Sequence, residues 1–170
     1  MEIKDIHSFL QYYSRVKSRS RRLFEHIPKE HIEWTYQKGK FTIGDIIRHL
    51  ALTERWMYVE NTQLKPSLYS GCGENFAEGY QETIRLYDQL HKESVEILSK
   101  LTPDNLLQRC ETPGGTKISV WKLLRAMVEH EIHHRGVLYT YLGILQVNTP
   151  PIFGLTSEEV IQNSENTDIT

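Results

Sequence analysis

Residues 119–146 read SVWKLLRAMVEHEIHHRGVLYTYLGILQ, and this run decides the fold. Leu123, Met127, Val137, Leu138, Tyr141 and Leu145 return at helical spacing, which predicts one long amphipathic helix from near Ser119 to about Gln146. Asn148 and the pair Pro150-Pro151 close it. His130 and His134 fall inside the apolar stripe, close to its centre. Being four apart, they project about 40° from one another at ~100° per residue. His133 lies about 100° away and faces the side of the helix or solvent. Two imidazoles one turn apart in a bundle interior each need a hydrogen-bond partner out of water. A shared metal ion answers both needs; two core histidines bonded to tyrosines or buried water are the competing reading.

Three further segments carry the same periodicity. In the first, Ile6, Phe9, Tyr13, Val16, Leu23 and Ile27 form a stripe interrupted by the polar Ser20 and ended by Pro28. The second opens at Thr42, with Asp45 three residues on in a capping-box arrangement, and buries Ile43, Ile46, Leu50 and Met57. A loop over Asn61–Asn75, containing Pro66, Gly71 and Gly73, leads to the third, which carries Phe76, Tyr80, Ile84, Tyr87, Leu90, Val95, Leu98 and Leu101 and stops before Pro103. Thr102-Pro103-Asp104 begins a short helical turn. Pro113-Gly114-Gly115 breaks the chain and can close a small hairpin between Leu107–Thr112 and Lys117–Ser119. The polar tail Thr156–Thr170 has room for a helical turn at Ser157–Gln162 and is expected to fray beyond it. Four apolar stripes bury one another most economically in an all-α four-helix bundle, expected over residues 1–154, with 155–170 as a polar tail.

With 170 residues the chain suits one domain and is short for two. No apolar run reaches the ~20 residues that span a bilayer, and the N-terminus MEIKDIHSFLQYYSRVK lacks the apolar stretch of a signal peptide, so no membrane and a cytoplasmic location are expected. A net charge of −2 gives no general attraction to nucleic acid. The basic run Arg15–Arg22 reads as the solvated face of the first helix. Cys72 and Cys110 are expected as thiols. Cys72, flanked by glycines, is either an exposed, oxidisable loop thiol or one without a role.

A third nitrogen donor is His49, which flanks the Ile46–Leu50–Met57 stripe on the same side as Thr53 and Trp56. Three imidazoles around a divalent ion leave a coordination position open for water or substrate. His91, between Tyr87 and Val95, is a candidate fourth ligand or substrate partner, or simply a boundary histidine. His130-Glu131-Ile132-His133-His134 also reads as the H-E-x-x-H of zincin proteases. Against that stand the brevity of the motif, the lack of any later histidine, and a chain without the sheet that normally lines a zincin cleft.

These residues resemble the DinB/YfiT-like family of metal-binding four-helix bundles. The likeness rests on Ile47-Arg48-His49-Leu50 with Trp56, and on H-x-x-x-H-R-G at His130, His134, Arg135 and Gly136, followed by Leu138 and Tyr141. Trp34, Ser119 and Pro150-Pro151-Ile152-Phe153-Gly154 fit it as well, so it spans Met1 to Gly154. Val137 departs from it, because many members place Gln there. The resemblance implies an up-down-down-up or similar bundle and a trio of ligands, His49, His130 and His134, for one divalent ion, Zn²⁺ or Ni²⁺. It further implies a homodimer and an activity among thiol S-transferases, which use low-molecular-weight thiols such as bacillithiol or mycothiol on an electrophile, or among hydrolases. A non-enzymatic metal-binding or stress-related interaction module is the alternative. Glu131 and Tyr141 are the candidates for a general base. Gly136 in mid-helix suggests a close helix approach, and Arg135, off the stripe, is expected to pair with a carboxylate at a helix or subunit boundary.

Overall fold

The computed structural model describes residues 2–165. Four long helical units dominate. Helix α1 spans Ile6–Phe24 and is capped by Asp5, whose carboxylate accepts from the Ser8 amide at 2.6 Å. After a 3₁₀ turn at Lys29–His31, α2 runs over Ile43–Thr53, opened by the expected capping box: Asp45 N–H donates to Thr42 Oγ1 and Thr42 N–H to Asp45 Oδ2. It continues without a break into a π-helical segment, Glu54–Val59, and a last turn, α3, at Glu60–Thr62. A 3₁₀ turn, Glu74–Phe76, takes up the start expected for the third helix, which as α4 spans Gly79–Leu98. The short α5, Pro103–Leu107, precedes strands β1 (Arg109–Glu111) and β2 (Lys117–Ser119), an antiparallel hairpin pairing Cys110 with Ile118. Helix α6 covers Val120–Ile144. Helix α7 covers Ser157–Glu165, three residues longer than the turn expected in the tail; the fraying expected further on falls on 166–170, outside the described residues.

Two apolar clusters give the topology. One joins the end of α1 (Leu23, Phe24), the start of α2 (Ile43, Ile46, Ile47), the first half of α4 (Ile84, Tyr87) and the end of α6 (Leu138, Leu142). The other joins the start of α1 (Phe9, Tyr13), the π segment (Tyr58, Val59), the end of α4 (Leu98) and the start of α6 (Leu123, Leu124, Met127). Helices α1 and α6 therefore run one way and α2–α3 and α4 the other, an up-down-down-up bundle. Because α2–α3 and α4 are parallel, the chain between them must return along the bundle, which explains the long connection at 63–78.

A buried ionic layer separates the clusters. Lys17 Nζ lies 2.7 Å from Glu54 Oε2, 3.4 Å from Glu131 Oε2 and 3.6 Å from the centre of the Tyr87 ring. Tyr13 donates to Glu54 at 2.9 Å, Tyr87 to Glu131 at 2.6 Å, and His91 Nδ1 stands 2.8 Å from Glu54 Oε1. The basic run of α1 is thus not wholly a solvated face: Lys17 is only 3% exposed. Helix α6 is corrected in the same sense. Its buried line passes through Leu124, Val128, Glu131, Arg135, Leu138 and Leu142, so His130 and His134, half-buried, flank the stripe rather than occupy its centre. Arg135 is buried and donates to the Val16 carbonyl of α1 at 2.9 Å, where a carboxylate partner was expected.

Gly136 does not mark a close helix approach. It is exposed, and a Cβ built there meets nothing within 4 Å. Gly136→Ala should therefore stabilise the protein by about 0.5–1 kcal/mol, read as a rise in the thermal midpoint. For the ionic layer, burial pushes the Glu54 carboxyl up, but the Lys17 charge and the bonds from His91 and Lys17 outweigh it and hold it at about 2 against an ordinary 4.5. A carboxyl depressed on folding stabilises fully above its unfolded pKa and loses that contribution as pH falls through the folded one. Glu54→Gln should cost about 3 kcal/mol at neutral pH. In denaturant titrations the gap between wild type and variant should narrow as pH falls from about 4.5 to about 2.

Candidate metal centre

Three histidines meet where α2 faces α6. His49 comes from the middle of α2; His130 and His134 come from adjacent turns of α6. One ligand atom from each lies within 4.8 Å of the others. His49 Nε2 and His130 Nε2 stand 3.0 Å apart, and the three ring centroids are separated by 4.9, 4.8 and 4.5 Å. The rings are steeply inclined to one another, at 65°, 71° and 78°, so their nitrogens converge instead of stacking.

The protonation of the trio suits a cation. Burial lowers all three imidazoles, and the mutual repulsion of the ring charges adds to it for His130 and His134, which fall to about 3 and about 4. At neutral pH each ring is uncharged and keeps a lone pair. His134 Nδ1 is a buried nitrogen with no hydrogen-bond partner among the described residues. Two nitrogens on a common zinc ion at Zn–N of about 2.0–2.1 Å lie about 3.4 Å apart in tetrahedral geometry, close to the observed separation of His49 from His130. The residues present therefore fit a divalent ion with a taste for imidazole, such as Zn²⁺ or Ni²⁺.

Among the described residues no further His, Cys, Asp or Glu joins this group. His91, considered as a fourth ligand, is turned to Glu54 in the ionic layer. Glu131, considered as a general base, is 1% exposed and gives its two carboxylate oxygens to Tyr87 and Lys17 on the core side of α6. That placement also removes the zincin reading, which needs this carboxylate at the metal. Tyr141, considered as a general base, donates its hydroxyl to the Phe41 carbonyl at 3.1 Å and packs against Trp34 and Tyr36. Cys72 is buried, and burial pushes its thiol up, against an exposed, oxidisable role.

The mouth of the site is aromatic. The Phe41 ring lies 5.5 Å from that of His49 and the Tyr58 ring 5.7 Å from that of His130; Phe41 is 43% exposed. His133, exposed as expected, stands edge-on to His134 at 5.0 Å. Sequence reasoning missed Tyr69, whose hydroxyl lies 2.8 Å from His49 Nδ1. It sits in an irregular segment without periodicity, and no spacing rule points to it.

The sequence profile of the DinB superfamily matches residues 12–138. The uncharacterised protein YjoA of Bacillus subtilis (strain 168) is 26% identical over 126 residues, 71% of this chain and 77% of its own. Among solved structures, a DinB-like protein from Bacillus cereus ATCC 10987 superposes with a TM-score of 0.73 at 18% identity, over 87% of this chain and 97% of its own. YfiT from Bacillus subtilis, described as a probable metal-dependent hydrolase with an unusual four-helix bundle topology, gives 0.69 at 16% identity over 87% and 91%. At these identities the structures speak for the fold alone, and the profile match carries the assignment: the chain belongs to the DinB superfamily.

Proposed function

We propose that the protein is a metal-dependent enzyme that holds one divalent ion, Zn²⁺ or Ni²⁺, on His49, His130 and His134 and uses it to activate a low-molecular-weight thiol for transfer to an electrophile, or water for hydrolysis. The observation that carries this reading is the convergence of three neutral imidazoles with no fourth ligating side chain among the described residues. Three protein ligands leave a position free for a reactant, which is the pattern of catalytic rather than structural sites. An ion bound there supplies the positive charge that lowers the pKa of a thiol or water toward neutrality.

The chain's own residues do the rest. His130 and His134 are held in register by one rigid helix, and His49 is brought to them by the packing of α2 on α6. Phe41 and Tyr58 supply an apolar wall that thins out competing water and accepts the non-polar part of a reactant. With Glu131 and Tyr141 engaged elsewhere, the leaving proton passes to solvent or buffer at the half-open mouth. The hydrolytic branch draws support from the shared fold with YfiT.

Elemental analysis of the purified full chain should find about one divalent ion per chain. Each of His49→Ala, His130→Ala and His134→Ala should lose most of it, because two imidazoles hold such an ion far less tightly than three. Chelation should abolish turnover in a panel of small thiols with electrophiles and of hydrolysable esters and amides, and Zn²⁺ or Ni²⁺ should restore it. Full metal content in the three variants would overturn the ligand set; absence of turnover across the panel would favour a non-enzymatic metal-binding module.

A further inference from the structure

The crossover segment at 63–78 does more than return the chain. It is tied down at two points on either side of Tyr69. Upstream, the Leu68 amide donates to the Trp56 carbonyl at 2.7 Å, and Trp56 lies within the π-helical segment Glu54–Val59. π segments alter the carbonyl pattern of a helix and are frequent at functional sites. Downstream, the Cys72 carbonyl accepts from Arg48 Nε at 2.9 Å. Arg48 is itself fixed: it is fully buried, forks onto Glu33 with contacts of 2.7 and 2.9 Å, and bonds Asp45 at 2.8 Å. Between these anchors the Tyr69 amide donates to Ser67 Oγ at 3.2 Å, and the Tyr69 hydroxyl reaches His49 Nδ1 at 2.8 Å, with the rings edge to face at 5.5 Å.

We propose that Tyr69 is a positioning residue of the metal centre: its hydroxyl accepts the Nδ1–H of His49 and so fixes the tautomer in which Nε2 offers a lone pair to the ion. With the proton on Nδ1, the imidazole nitrogen of His49 left unprotonated is the one that stands 3.0 Å from His130 Nε2. Metal-ligating histidines commonly anchor their second nitrogen on an oxygen, which sets both tautomer and ring orientation. The opposite arrangement, Tyr69 donating to Nδ1, places the proton of His49 on Nε2 and removes it from the ligand set. This inference rests on the ligand assignment proposed above and adds to it a role for a residue that does not touch the ion.

The test separates the two. In the metal-free full chain, imidazole ¹⁵N NMR should show His49 as the Nδ1–H tautomer, and Tyr69→Phe, which keeps the ring and its packing, should shift it toward Nε2–H while leaving the thermal midpoint of the metal-free protein nearly unchanged. Titration with Co²⁺ followed by its visible absorption should then show affinity about 10–100-fold weaker in Tyr69→Phe than in wild type. An Nε2–H tautomer in wild type, or a Tyr69→Phe variant that binds Co²⁺ as tightly as wild type while His49→Ala does not, overturns the role of Tyr69 and leaves the ligand set standing. Failure of the wild type itself to bind Co²⁺ overturns both.

Discussion

One ammonium group organises the interior of this bundle. Lys17 sits between Glu54 of the π segment and Glu131 of α6, with the Tyr87 ring of α4 against it. Each of the four long helical units therefore supplies a group to one buried contact. Charges taken out of water are costly unless paired and fully hydrogen-bonded. Here Tyr13, Tyr87 and His91 complete the carboxylates, so the layer is satisfied, not merely neutralised. A slide of α1 or α6 by one turn would strand at least one charge in the apolar clusters on either side, which makes the layer a device for register more than for stability.

The metal centre inherits its position from that layer. Glu131 lies one residue from His130, and Arg135 one residue from His134. Because those two charged residues point to the core, the histidines beside them are turned about 100° toward the margin of the helix. At the margin they meet His49 and keep a half-open mouth. Histidines at the centre of the stripe would have been walled in by the opposing helices, with no approach for a reactant. Burying a glutamate and an arginine on α6 is what places two imidazoles at the edge.

Much of this was legible in the sequence, and the failures share a cause. The four helices, the capping box at Thr42 and Asp45, and the i, i+4 pair on α6 all depend on local periodicity and local chemistry, which one chain displays openly. His49 was legible only through its fit with that pair. The centre of the α6 stripe was misplaced because patterning counts Glu131 and Arg135 as solvent-facing, and Lys17 was assigned to a solvated face for the same reason. The burial of Lys17 and Glu131 depends on contacts 37 and 114 residues apart, and that of Arg135 on the Val16 carbonyl 119 residues away, which no local window contains. The π segment left no compositional signal. It shifts the register so that Tyr58 and Val59 are buried while Met57 is only partly so.

The π segment and the parallel run of α2–α3 and α4 bear on the same point. A bundle built only of antiparallel neighbours could link its helices by short loops at the ends, and no irregular backbone would pass the middle of the molecule. Here the parallel pair demands a connection along its length. That connection needs somewhere to bond, and the Trp56 carbonyl and the Arg48 side chain provide it. The result is a stretch of non-helical chain held beside α2 at the level of His49, with the Tyr69 hydroxyl 2.8 Å from its Nδ1. In this fold the topology that lengthens the loop is also what brings an oxygen to the second nitrogen of His49.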